Sequence, residues 1–171
     1  RVYLYQEDWD KVIVYSEKLF ERQSQLTQLI ATEEDNVFSL ESSEIVWHIT
    51  GYDLSKVYNG YPGRTSKGFF SVSDELIDLY KLTREGVVDL RLTKYFQQYT
   101  IKGGGKVPIY GSKSFVGRDY RILSTSDGIR LSEIYLNRAE AYIRKYIANG
   151  DESYRTKALS DLNYLRISRF D

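Results

Sequence analysis

LSEIYLNRAEAYIRKYIANGDESYRTKALSDLNYLR, residues 131–166, is the stretch that decides the fold. Leu131, Ile134, Tyr135, Ala139, Tyr142, Ile143 and Tyr146 recur at the three- and four-residue spacing of one helix face, so they predict an apolar stripe. Glu133, Asn137, Glu140 and Arg144 fall opposite, with Glu140 and Arg144 at the favourable i,i+4 spacing. Asn149-Gly150-Asp151 then breaks the pattern, and a second helix follows with Ala158, Leu159, Leu162 and Leu165 inward. Two helices joined by so short a break predict an antiparallel hairpin.

The other end of the chain carries a shorter version of the same pattern. Residues 1 to about 21 read as the end of one helix, a tight turn and a second helix. Asp8 is placed as its N-cap, and Trp9, Val12, Ile13, Ser16, Leu19 and Phe20 lie on one face. Between the two helical ends the signals are mixed. Gln23 to Asn36 is polar and reads as a frayed helix or a loop. Ile45, Trp47 and Ile49 alternate with Val46 and His48, as in a short strand with one face more buried, which puts Trp47 in the core. Gly51, Asn59-Gly60 and Pro62-Gly63 mark turns. Ser73 caps a short helix with Leu76, Ile77 and Tyr80 as its apolar face. Residues 89–100 fit helix or strand. The glycine-rich stretch 101–128, with Pro108 inside it, reads as irregular chain with short paired strands.

Composition narrows the function classes. With 24 Lys+Arg against 24 Asp+Glu and no basic run longer than two residues, nucleic acid and anionic membrane surfaces are not expected partners. The chain has no Cys and a single His, His48, so thiol chemistry and a histidine-based zinc site are excluded, and no cofactor or metal is expected. No apolar run approaches the roughly 20 residues of a membrane span. The 171 residues contain no Met and open inside a helix-like pattern, from which an internal fragment is expected. Gly103-Gly104-Gly105-Lys106 lacks the Ser/Thr and the continuing helix of a phosphate loop, because Val107-Pro108 follows. Adjacent acids such as Glu33-Glu34-Asp35 and Asp151-Glu152 read as solvated faces, since a glycosidase needs two carboxylates across a cleft.

Two resemblances give these patterns a name. Glu7-Asp8-Trp9-Asp10-Lys11-Val12-Ile13-Val14-Tyr15-Ser16 resembles the turn and second helix of a tetratricopeptide repeat, departing from it where Glu7 replaces the turn Gly and Val12 the small Ala. Arg130, Leu131, Glu133, Tyr135, Leu136, Arg138, Ala139, Glu140 and Ala141, followed by Ala158, Leu159, Asn163 and Arg166, resemble the late helical repeat of the SusD/RagB family. Ser43-Glu44-Ile45-Val46-Trp47 and Asp89-Leu90-Arg91 are similar to two further family segments, in the family's order. The likeness spans nearly the whole chain and is densest over residues 130–171.

The resemblance implies a mainly α fold of tetratricopeptide-like helical hairpins with an irregular, loop-rich insertion containing short β-strands. It divides the chain into a helix pair at 1–22, an intervening region at 23–130 and a helical hairpin at 131–171. It also implies a non-enzymatic role. An oligosaccharide or polysaccharide is captured at the cell surface and delivered to a SusC-like TonB-dependent transporter. The protein would sit at the outer membrane through a lipid anchor outside this chain. The alternative is a repeat scaffold that binds a protein or peptide.

Sugars present flat CH faces and hydroxyl rims, so a glycan site needs aromatic platforms beside polar groups, carried on loops. Tyr52, Asp53, Tyr58, Asn59, Tyr61 and Arg64 form one such cluster in the sequence, and Tyr110, Phe115, Arg118, Asp119 and Tyr120 a second. Packing of the same tyrosines against the helical repeats fits their chemistry equally well.

Overall fold

The computed structural model describes residues 1–26, 28, 42–48, 73–82, 86–99, 109–112 and 128–171, of which 48, 97–99 and 109–112 are described through the backbone alone. The described residues are mainly helical. The elements run α1 (Val2–Tyr5), α2 (Trp9–Phe20), β1 (Ile45–His48), α3 (Asp74–Lys81), α4 (Arg91–Tyr95), β2 (Phe96–Tyr99), β3 (Ile109–Ser112), β4 (Gly128–Arg130), α5 (Leu131–Asn149) and α6 (Glu152–Arg169). They divide into two compact units. One holds α1, α2, Ser43–Trp47, β4, α5 and α6 as far as Ser168; the other holds α3, α4, β2, β3 and Arg169–Asp171.

In the first unit α1 and α2 are joined by a turn in which Glu7 takes a left-handed conformation, φ 57°. Asp8 then caps α2 as its sequence predicts, its Oδ1 accepting from the Lys11 N–H at 3.1 Å. Val12 and Ser16 are the buried residues of α2. The last helix pair is punctuated at both sides of its turn. Gly150, at φ 72°, closes α5 with its N–H donating to the Tyr146 carbonyl at 2.7 Å. Asp151 then accepts from the Ser153 N–H at 2.9 Å, satisfying a donor in the first turn of α6.

Two apolar clusters hold this unit together. Leu26, Leu131 and Tyr135 are buried with Leu19, Phe20, Val46, Tyr164 and Leu165 packed around them. Ala139, Tyr142 and Ala158 form the second, against Ile13, Ile143 and Tyr154. The most extensive helix–helix contact in this unit is between α2 and α5. The segment after α2 is tied down by side chains: Tyr135 donates to the Ser24 carbonyl at 2.7 Å, and the Leu26 N–H donates to the Tyr164 hydroxyl at 3.3 Å. Gln23 Nε2 donates to the carbonyls of Ser43 and Ile45.

Several expected core positions are corrected. Leu159 and Leu162 are 45% and 41% exposed, because α6 turns Ala158, Asp161 and Ser168 inward instead. Asp161 takes an inward place because Arg138 meets it there. Leu76 of α3 is exposed, and Ile77 carries that helix's burial alone. Trp47 is 53% exposed and not core. The alternation in β1 runs the other way round from the expectation: Val46 packs on the core, and Glu44, two residues earlier, is 1% exposed. Ile49 lies outside the described residues.

In the second unit, Ser73 Oγ accepts from the Leu76 N–H at 3.3 Å and caps α3 as expected. Of residues 89–100, Arg91–Tyr95 prove to be helix and Phe96–Tyr99 strand, α4 passing directly into β2, while Thr100 lies outside the described residues. β2 pairs antiparallel with β3, Phe96 opposite Ser112 and Tyr99 opposite Ile109. The chain's last residues bond back to the start of α4: Val88 and Asp171 exchange N–H donors at 3.2 and 3.0 Å, and the Leu90 N–H donates to the Arg169 carbonyl at 3.0 Å.

Candidate functional site

Of the glycan-site residues expected from the sequence, one falls within the described chain. Tyr52, Asp53, Tyr58, Asn59, Tyr61, Arg64, Phe115, Arg118, Asp119 and Tyr120 lie outside the described residues, as does Gly103–Lys106. Tyr110 is placed by its backbone alone, in β3 opposite Gln98. The Pro62-Gly63 turn and the Glu33-Glu34-Asp35 acids also lie outside them.

The described residues instead concentrate their chemistry in three ion pairs, each with a partner that the family resemblance singles out. The most built is on α5 and α6. Arg138 donates from Nε to Asp161 Oδ2 at 2.8 Å and from an η nitrogen to Oδ1 at 2.6 Å, a two-point contact with side chains only 17% and 6% exposed. The guanidinium lies 4.3 Å from the Phe20 ring centroid and within 6 Å of Tyr135 and Tyr142. Burial works against its charge, but the hydrogen bonds and the negative charge of Asp161 hold its pKa raised. The surrounding phenols respond to the same dry environment. Burial pushes Tyr135 and Tyr142 up to about 12. Phe20 and Tyr135 stack with centroids 4.2 Å apart, and Tyr142 donates to Glu17 at 3.2 Å.

The second pair sits where β1, β4 and α5 meet. Glu44 is buried with Arg130 at 3.5 Å, and its backbone carbonyl accepts the first N–H of α5, Leu131, at 2.7 Å. One residue thus serves both the strand and a helix-end donor that has no intrahelical partner. The third pair is in the second unit. Asp89 holds Arg91 through Nε at 3.0 Å and an η nitrogen at 2.7 Å. Tyr80 and Phe170 lie 5.0 and 5.5 Å from that guanidinium. The hydrogen bond to Asp89 raises the Arg91 pKa against a smaller effect of burial.

These groups are mutually satisfied charges, which suits a scaffold. Other signature residues pair more superficially: Glu133 with Arg1, whose hydrogen bond lowers the Glu133 pKa, and Glu140 with Arg144 at 3.3 Å. Asp151 and Glu152 have local tasks: the first caps α6, and the second accepts from Arg155 at 3.1 Å and Tyr146 at 3.0 Å. Among the described residues no group of three His, Cys, Asp or Glu side chains is arranged to hold a metal ion. No helix among them is long and apolar enough to cross a membrane.

Sequence reasoning missed Asp161 and Leu26. Asp161 lies three residues after Ala158, on the inward stripe, and a carboxylate at such a position signals a buried partner. Leu26 had no periodic neighbour to point to it. No known family, curated protein or solved structure matches the chain.

Proposed function

We propose that this chain is part of a SusD/RagB-like protein that captures oligosaccharide or polysaccharide at the cell surface and passes it to a TonB-dependent outer-membrane transporter, without catalysis. The observation that carries the reading is the role of the signature charges. Glu44, Arg130, Asp89, Arg91 and Arg138 are five of the residues that carry the resemblance, and each is engaged in an ion pair with at least one buried partner. Charges used in this way explain why a scaffold would require these residue types at these positions. The left-handed Glu7, at the place where a tetratricopeptide turn has Gly, supports the repeat-like reading of the first helix pair. In this reading the scaffold is tetratricopeptide-like and SusD-like, and the glycan is held by aromatic residues of segments 51–64 and 108–120. A lipid anchor outside the chain holds the protein at the outer membrane.

The test is affinity electrophoresis of the wild-type protein in gels cast with amylopectin, xyloglucan, arabinoxylan, yeast mannan or mucin, beside a Tyr58→Ala/Tyr61→Ala variant. Retardation by one polymer, lost in the variant, is the expected result. Retardation that survives keeps the function and moves the site. Migration unchanged in every gel overturns the reading. It would favour the alternative, a scaffold for a protein or peptide, for which one observation speaks: Tyr5 and Tyr15 are exposed on the first helix pair.

A further inference from the structure

Asparagine followed by glycine is the pair most prone to spontaneous deamidation, because a residue without a Cβ leaves its amide nitrogen open to the preceding side chain. Asn149-Gly150 is such a pair, and it lies at the turn between α5 and α6. Asn149 is exposed, and the space beside Gly150 is open. The Asn149 Oδ1 accepts from the Asp151 N–H at 3.0 Å, closing a ring that contains both reacting atoms, the Gly150 nitrogen and the Asn149 Cγ. The same bond draws electrons from the side-chain carbonyl, which makes Cγ the better electrophile. The opposing contact is at the nitrogen. The Gly150 N–H donates to the Tyr146 carbonyl at 2.7 Å, so the proton that must leave is held. Tyr146 also reaches across the turn, its hydroxyl donating to Glu152 at 3.0 Å.

We infer that Asn149 is a covalent modification site whose reaction is gated by the α5–α6 turn, an inference independent of what the protein captures. When the turn opens, hydroxide removes the released Gly150 amide proton, and the nitrogen attacks the Asn149 Cγ. The N–Cγ bond forms, the Cγ–Nδ2 bond breaks, and Nδ2 takes a proton from water and leaves as ammonia. Water then hydrolyses the resulting succinimide at either carbonyl, giving aspartate or isoaspartate. Both products place a negative charge at the C-terminal end of α5, beside Asp151 and Glu152, where the helix dipole is already negative. Isoaspartate also adds a methylene to the backbone and moves the Gly150 N–H away from the Tyr146 carbonyl. The change is therefore one-way: a turn that has reacted no longer closes as before.

The test incubates the wild-type protein and a synthetic peptide of residues 146–155 side by side in warm, mildly alkaline buffer. Trypsin, cutting after Lys145 and Arg155, releases the same peptide from the protein, with Asn149 as its sole amide side chain. Mass spectrometry follows the conversion, and labelling by an isoaspartyl methyltransferase identifies the product. The folded protein is expected to react about tenfold or more slowly than the peptide, since local opening must come first. Tyr146→Phe, which keeps the ring and loses the bond to Glu152, should react about threefold faster than wild type. Exchange of the Gly150 amide hydrogen, read by NMR, should rise by the same factor. Equal rates in protein and peptide overturn the gate. Protein that stays unconverted in wild type and Tyr146→Phe alike, while the peptide reacts fully, overturns the modification site. Conversion that speeds up in Tyr146→Phe with no change in Gly150 exchange overturns the link between them.

Discussion

Replacing Arg138 by Met keeps the length of the side chain and removes its charge, leaving Asp161 in place with a side chain only 6% exposed. Removing one partner of a buried ion pair costs about 3–5 kcal/mol, because the remaining charge has lost both water and its counter-ion. The contact of the guanidinium with Phe20 at 4.3 Å adds about 0.5–1 kcal/mol. Asp161 lies on a helix facing solvent on its other side, so some rehydration is available, and a net loss of about 3 kcal/mol is expected. For a chain of 171 residues that corresponds to a fall of roughly 6–12 °C in Tm. Asp161→Asn should cost a similar amount, since it leaves the Arg138 charge without its partner.

The decisive variant is the double one, Arg138→Met/Asp161→Leu. A buried pair replaced by apolar groups of similar volume is often neutral or better. The double variant should therefore recover most of what either single loses. Urea unfolding followed by circular dichroism gives the four stabilities of the cycle, and the coupling should exceed about 2 kcal/mol. Single losses below about 1 kcal/mol that simply add would mean the pair behaves as an exposed one. The account of α5–α6 packing given above would then be wrong.

Three further outcomes follow from local geometry. Glu7→Gly should stabilise the protein by about 0.5–1 kcal/mol in thermal unfolding by relieving a left-handed residue, while Glu7→Ala should not. Gly150→Ala should destabilise by about 1 kcal/mol: open space surrounds the new methyl, so the cost is that of the backbone at φ 72° alone. Spectrophotometric titration should find Tyr135 and Tyr142 ionising near 12, and their loss in Tyr135→Phe and Tyr142→Phe would identify them. Because these folded-state values lie above the unfolded value near 10, the stability they contribute is complete below pH 10 and falls as the pH rises from about 10 to 12.

Helix ends and stripes were legible because their causes are local. Asp8 and Ser73 cap the helices they precede, and Gly150 ends α5, through contacts within three or four residues. The inward face of α6 was less legible. Leu159 and Leu162 have the right spacing, yet Asp161 is buried in their stead because a bidentate arginine waits on the neighbouring helix. A long-range partner overrode apolar periodicity there. The same happened in β1, where the strand's facing is set by Glu44, whose side chain meets Arg130 and whose carbonyl meets Leu131. Alternation alone does not say which of two faces is inside.

That last case ties an exposed ring to a buried charge. Since successive strand residues point to opposite faces, a strand that turns Glu44 and Val46 inward must turn Trp47 outward. Sequence patterning treats tryptophan as a core residue because burying an indole is ordinarily favourable. Here Glu44 is held inside by Arg130 and by the Leu131 N–H, and the tryptophan takes the opposite face. The exposed ring is thus a consequence of the same signature charges on which the scaffold rests. Disrupting the support should show in stability: Arg130→Ala, which removes one contact of the buried Glu44, is expected to loosen β1 and lower the midpoint of urea unfolding. Unchanged stability in Arg130→Ala would break that link between the buried pair and the facing of β1.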